Sequence, residues 1–196
     1  MSAMFTDEQV MIRDMAQKFA VEQLLPHSER WDQESHFPVD VIKRTAELGF
    51  AGIYVRDDVG GSGLTRTDAA LIFEQLSYGD VSTAAFISIH NMASWMIDTF
   101  GSDALRQEWV PRLTSMELIA SYCLTEPGAG SDAASLKTKA VKDGDDYVIT
   151  GTKQFISGAG TSDVYVLMAR TSDDGAKGVS TFIIEKGAPG LSFGAN

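Results

Sequence analysis

The sequence predicts an α+β protein of two parts: an all-α helical domain followed by a small antiparallel β-domain, a barrel or sandwich. Two observations carry this. Up to about residue 118, apolar side chains recur at helical spacing. From Ile119 onward, short β-branched runs alternate with Gly/Asp turns. The expected domains are therefore 1–118 and 119–196, the second cut off part-way through its last strand pattern.

The first helix begins at Thr6, where Thr6 and Gln9 form a capping-box pair and Phe5 and Val10 are placed to staple the entry. Met11, Met15 and Phe19 then share one face. Pro26 kinks or breaks this helix, and a second helical piece carries Arg30 and Trp31. Pro38 reads as the first residue of a helix running to Leu48, with Gly49 as its stop. Gly60-Gly61-Ser62-Gly63 lacks the strand-then-helix setting of a dinucleotide fingerprint, so it reads as a tight surface connection. Thr67 or Asp68 starts the next helix, which ends at Gly79. Ser82 opens the most apolar helix, which stops before Gly101 and is buried by composition. His90 and Asn91 are its odd residues, and a histidine in such a place reads as a satisfied core group. Leu105–Leu113 completes the helical part.

In the β part, Ile119–Thr125 is the first run. Ser135–Lys142 and Asp146–Thr150 flank Asp143-Gly144-Asp145, a hairpin signal. Phe155–Ile156, Val164–Ala169 and Val179–Ile184 are expected strands, Asp173–Gly178 is a turn, and Gly190–Asn196 looks like the start of a further strand.

The chain has 196 residues and is 44% apolar, enough for a core and too much for global disorder. A net charge of −11 argues against nucleic acid or an anionic membrane as partner. No run approaches the length needed to span a membrane, and no leader is visible at the N-terminus. The single cysteine, Cys123, excludes an intrachain disulfide, fits a reducing compartment and reads as a small core residue. No metal site is assigned.

The chemistry concentrates between Tyr122 and Asp132, Tyr-Cys-Leu-Thr-Glu-Pro-Gly-Ala-Gly-Ser-Asp. Gly128 and Gly130 let a backbone approach a flat or phosphorylated ligand, and Thr125 and Ser131 add hydroxyls. By chemistry alone, a plain turn and a ligand loop both stand. The string itself resembles the flavin-binding signature of the acyl-CoA dehydrogenase family. Gly151-Thr-Lys-Gln-Phe-Ile-Ser-Gly158 is similar to the family's second flavin-contacting segment. Asp32–Pro38, Leu48–Gly52, Val59–Leu64 and Ile87–Trp95 also look like this family, so the resemblance spans the chain. Ile87–Trp95 together with Phe155–Gly160 points to members acting on short branched acyl groups.

The resemblance implies FAD-dependent α,β-dehydrogenation of an acyl thioester such as isobutyryl-CoA, in valine or fatty-acid catabolism. Tyr122, Cys123, Leu124 and Thr125 would lie along the flavin ring, with main-chain N–H groups and the Thr125 hydroxyl at its pyrimidine edge. Gly130 and Ser131 belong to the same loop, and Ser131 would also meet the pantetheine of coenzyme A. Phe155 and Ile156 would pack on the flavin, and Ser157 would place its hydroxyl near N5. Many members carry tryptophan in place of Phe155, and threonine is frequent in place of Ser157. Phe86 and Ile89 would floor the acyl pocket, a role that helical spacing does not separate from core packing. The family's catalytic Glu, in a Glu-Gly-Ser/Thr string, and its C-terminal four-helix domain are absent here, since Glu126 precedes Pro127 and no Glu-Gly pair occurs. By itself, then, the chain is expected to bind flavin weakly and to be inactive. The implied partners are acyl-CoA, an electron-transfer flavoprotein and further subunits of a homotetramer, in a bacterial cytoplasm or a eukaryotic mitochondrial matrix. Two alternatives remain: another short-chain dehydrogenase, oxidase or flavin monooxygenase on the same scaffold, or a non-catalytic acyl-CoA-binding module.

Overall fold

The computed structural model describes residues 5–194. The chain divides into two compact units, one ending at Leu118 and the other starting at Ile119.

The helical unit holds α1 (Asp7–Phe19), α2 (Ser28–Glu34), α3 (Val39–Arg44), α4 (Arg66–Gly79), α5 (Val81–Phe100) and α6 (Asp103–Thr114). The predicted capping box is present at α1: the Thr6 hydroxyl accepts from the Gln9 amide at 3.2 Å, and Gln9 returns the bond. Of the expected Met11–Met15–Phe19 face only Phe19 is buried. Met11 and Met15 are exposed, and the helix buries Ala16, Phe19 and Ala20 against α4. Small residues at 16 and 20 let the helices approach, while the flexible methionines stay outside. The helix widens into a π-turn at Ala20–Leu24 before Pro26 ends it.

Pro38 caps α3 rather than starting it, and Thr45–Leu48 tightens into a 3₁₀ turn that stops at Gly49. α4 starts at Arg66, before the expected Thr67 or Asp68. Thr65 is the N-cap and Asp68 its reciprocal partner, a pair easily overlooked because Asp stands where Glu usually does. α5 starts one residue early as well. The Asp80 carboxylate accepts from the Thr83 amide at 2.6 Å and from the Ser28 hydroxyl at 2.8 Å.

α5 packs between α4 and α6. His90 and Asn91 are fully buried on it. Asn91 accepts from the Ile53 amide at 2.7 Å and donates to the carbonyls of Phe50 (2.7 Å) and Ile87 (3.0 Å), stapling the 50–53 loop to the helix. The His90 ring meets the Leu113 carbonyl at 3.1 Å. Burial holds its pKa at about 4, below the ordinary 6.5 and against the pull of that carbonyl, so the ring is neutral at neutral pH. Asp98, buried further along α5, takes the guanidinium groups of Arg56 and Arg106, and Arg106 also pairs with Asp58. These ion pairs tie the 56–58 loop to α5 and α6.

The glycine loop after Val59 is a compact connection. The Gly61 and Gly63 amides donate to the carbonyls of Arg56 and Val55 at 3.0 and 2.9 Å. A Cβ on Gly61 would run into the Val55 carbonyl, whereas around Gly63 there is open space and a φ of +61°.

The β unit is an open mixed sheet, not the antiparallel barrel or sandwich expected from its sequence. It has β1 (Ala120–Cys123), β2 (Lys139–Asp143), β3 (Asp146–Thr150), β4 (Val164–Arg170) and β5 (Val179–Glu185). β2–β3 and β4–β5 are antiparallel, but β1 runs parallel to β4 with Ala120 opposite Val164, and β2 meets β4 in parallel at Lys139 and Arg170. A parallel pair needs a long crossover, and the 40-residue span from Cys123 to Val164 supplies one.

Three expected strands change. Ser135–Lys142 shortens to begin at Lys139, because the amides of Lys137 and Thr138 donate to the Glu126 carboxylate instead of to a ladder. Phe155–Ile156 forms no strand, since Phe155 is left-handed at φ +58°. No strand forms over 190–194, and the rest of that expected run, 195–196, lies outside the described residues. Among the described residues no helix is long and apolar enough to cross a membrane, and no cluster of His, Cys, Asp and Glu is placed to hold a metal ion.

Candidate functional site

β1 delivers Tyr122 and Cys123 to the start of a loop that turns at Pro127-Gly128. Mutual bonds between Glu126 and Ala129, 3.0 and 3.1 Å, close that turn. Tyr122 is half-buried, and burial raises its phenol pKa above the ordinary value. Cys123 is buried. Burial pushes its thiol up to about 12 despite the nearby Lys153 ammonium, so it is an unreactive core group. Leu124 and Thr125 are half-buried, while Gly130 and Ser131 lie exposed beyond the turn.

The second motif is bound directly onto the first. The Gln154 amide donates to the Thr125 carbonyl at 2.8 Å, and the Lys153 ammonium donates to the Leu124 carbonyl at 3.0 Å. The Ser121 hydroxyl donates to the Ser157 carbonyl at 2.6 Å and sits 2.8 Å from the Ser162 hydroxyl. Residues about thirty apart in sequence thus share one face: Thr125 lies next to the segment carrying Phe155, Ile156 and Ser157.

Phe155 is 84% exposed, on a backbone that non-glycine residues rarely adopt. Ile156 is half-buried and Ser157 exposed. No hydrogen bond from the Thr125 N–H to a described residue is present. The joined segments therefore carry a bare aromatic ring, a backbone donor and the Thr125 and Ser157 hydroxyls, a set of groups suited to a flat heteroaromatic ligand.

Sequence reasoning missed what stands beneath this face. Lys153 and Glu126 form a buried ion pair at 2.8 Å, with side chains 8% and 6% exposed. Glu126 also accepts from the amides of Lys137 (2.6 Å) and Thr138 (2.9 Å). Burial alone would raise its carboxyl, but the bonds from Lys153, Thr138 and Lys137 outweigh it and bring the pKa to about 2. The one signal available was a lysine inside an otherwise uncharged motif, which spacing alone does not mark as buried.

Phe86 and Ile89 lie on α5 in the helical unit. Phe86 is buried with its ring edge-on to Phe37 at 4.7 Å, and Ile89 is half-buried.

Residues 6–117 match the N-terminal domain of acyl-CoA dehydrogenases, and residues 121–196 match the middle domain. The mitochondrial isobutyryl-CoA dehydrogenase of Dictyostelium discoideum is 57% identical over 190 residues, covering 96% of this chain and 46% of the relative. The Bos taurus enzyme of the same name is 52% identical over 189 residues, covering 96% and 45%. Among solved structures, the FAD complex of PigA superposes with a TM-score of 0.93 at 33% identity, covering 100% of this chain and 52% of that one. The chain spans a little under half the length of these curated relatives. With both of its units matched, the chain belongs to the acyl-CoA dehydrogenase family.

Proposed function

We propose that this chain contributes the flavin-facing half of an FAD-dependent acyl-CoA dehydrogenase that acts on a short branched acyl thioester such as isobutyryl-CoA. The observation that carries this reading is the joining of the two motifs: the Gln154 amide donates to the Thr125 carbonyl, the adjoining Phe155 ring is exposed, and the Thr125 N–H has no partner among the described residues. An exposed aromatic in a left-handed backbone is unfavourable on both counts, and a flat ring laid on it would offset that cost.

The residues present fit the group by their chemistry. The Thr125 N–H and hydroxyl suit the acceptors of a pyrimidine edge and favour negative charge developing there. Tyr122, Cys123 and Leu124 would supply backbone along the ring, Phe155 and Ile156 apolar contact, and Ser157 a hydroxyl. Gly130 would allow close approach, and Ser131 would serve both cofactor and coenzyme A. When bound, FAD would accept the hydride from the β-carbon of the thioester. Phe86 and Ile89 would limit acyl length by their bulk, at roughly 1–3 kcal/mol for each methylene misfit.

The names of relatives more than 50% identical support the substrate. The same reading makes an electron-transfer flavoprotein the electron acceptor and a homotetramer the assembly. It places the enzyme in the mitochondrial matrix of a eukaryote or the cytoplasm of a bacterium.

Titrating FAD into the ¹⁵N-labelled chain is expected to move the amide signals of 122–125, 130–131 and 155–157. Unmoved signals there in millimolar FAD would overturn the assignment. Joined to the remaining half of the Bos taurus relative, these residues are expected to turn over isobutyryl-CoA faster than butyryl- or octanoyl-CoA. Best turnover on octanoyl-CoA would remove the branched-substrate reading.

A further inference from the structure

The Lys153 ammonium does more than answer Glu126. It donates at 3.0 Å to the carbonyl of Leu124, and that carbonyl belongs to the same peptide unit as the Thr125 N–H. The peptide is a conjugated unit, so drawing electron density toward its oxygen leaves its N–H a stronger donor. Burial fixes the geometry: the lysine side chain is 8% exposed and held at its tip by two acceptors. The next peptide is pinned too, since the Gln154 amide donates to the Thr125 carbonyl at 2.8 Å. Both peptide units flanking Thr125 are thus held by consecutive residues of the second motif.

Building on the reading that FAD rests against Thr125, we propose that Lys153 is a positioning residue that acts through the Leu124–Thr125 peptide, strengthening the Thr125 N–H as a donor and favouring the reduced, anionic flavin over the oxidised one. The preference follows from charge. A strengthened donor gains more from an acceptor carrying developing negative charge than from a neutral one. The ion pair itself is not the agent here. A glutamine at 126 keeps one oxygen for the Thr138 amide and the Lys153 ammonium and gives up only the acceptor of the Lys137 amide, and Lys153 keeps the Leu124 carbonyl.

Replacing Lys153 alone would strand a buried carboxylate and disturb the fold. The informative comparison is therefore between E126Q and the double variant E126Q/K153M, each with the full 196-residue chain. Without flavin, the Thr125 amide nitrogen resonance, which responds to hydrogen bonding at the preceding carbonyl, is expected to hold in E126Q and to move in the double variant. With flavin, the double variant is expected to bind oxidised FAD about threefold more weakly than E126Q, and dithionite-reduced FAD about tenfold more weakly under anaerobic conditions. Equal losses for the two oxidation states would mean that Lys153 only places the loop, and unchanged affinities would mean that it does nothing for the ligand. Either result overturns the proposal while leaving the flavin site standing. If FAD fails to move the Thr125 amide in the unaltered chain, the flavin reading itself falls and takes this role with it.

Discussion

Phe155 combines two unfavourable features in one residue, a left-handed backbone and a ring that is 84% exposed. Glycine removes both. Phe155→Gly is expected to stabilise the β unit by about 1 kcal/mol in urea melts while weakening FAD binding, a trade of stability against ligand affinity. A variant that is both less stable and equally good at binding flavin would show the strain to be incidental. Cys123 gives a simpler check. Its buried, high-pKa thiol is expected to resist iodoacetamide in the native chain and to react only after denaturation, as read by intact-mass measurement.

Among the elements, α5 carries much of the helical unit through side chains that are not apolar. Asn91→Ala leaves the Ile53 amide and the Phe50 carbonyl unanswered in the core, and is expected to cost about 2–4 kcal/mol in a denaturant melt. Helix existence was legible because apolar spacing and capping pairs are local signals; Thr6–Gln9 lay on the surface of the sequence. Helix faces were less so. Met11 and Met15 fit a buried stripe as well as Ala16 and Ala20 do, and only the close approach of α4 decides between them. Strand direction was legible only locally, where the hairpin signal at 143–145 gave β2 and β3 as antiparallel. The parallel alignment of β1 with β4 arises between segments 40 residues apart, and turn signals report only on neighbours. The 155–156 run misled because two apolar residues look alike in a strand and in a left-handed turn.

For the molecule as a whole, acid should act on the two units in different windows. The His90 ring titrates near 4 in the fold and at the ordinary 6.5 when exposed. Between those values only the unfolded chain takes up the proton, so the helical unit loses stability as pH falls from about 6.5 to about 4, by up to about 3 kcal/mol. The Glu126 carboxylate is depressed, from 4.5 to about 2. Its contribution is complete above about 4.5 and is lost as pH falls toward about 2, so the β unit should weaken later. Amide-resolved thermal melts between neutral pH and pH 3 would separate the windows, and E126Q should flatten the lower one. A helical unit whose stability stayed constant down to pH 4 would contradict this assignment for His90. The candidate site reads in the sequence as two strings, which hydrogen bonds from Lys153 and Gln154 join in the fold. Its foundation, Glu126 and Lys153, was hidden because both look like ordinary surface charges until a fold encloses them.

The glycine loop after Val59 carries its own consequence for inheritance. At Gly61 every side chain is barred, since even a methyl group would strike the Val55 carbonyl, whereas at Gly63 only the handedness of the backbone objects. In a library of descendants Gly61 should survive as an invariant, while asparagine, the residue that best tolerates such a backbone, should recur at Gly63 among viable clones.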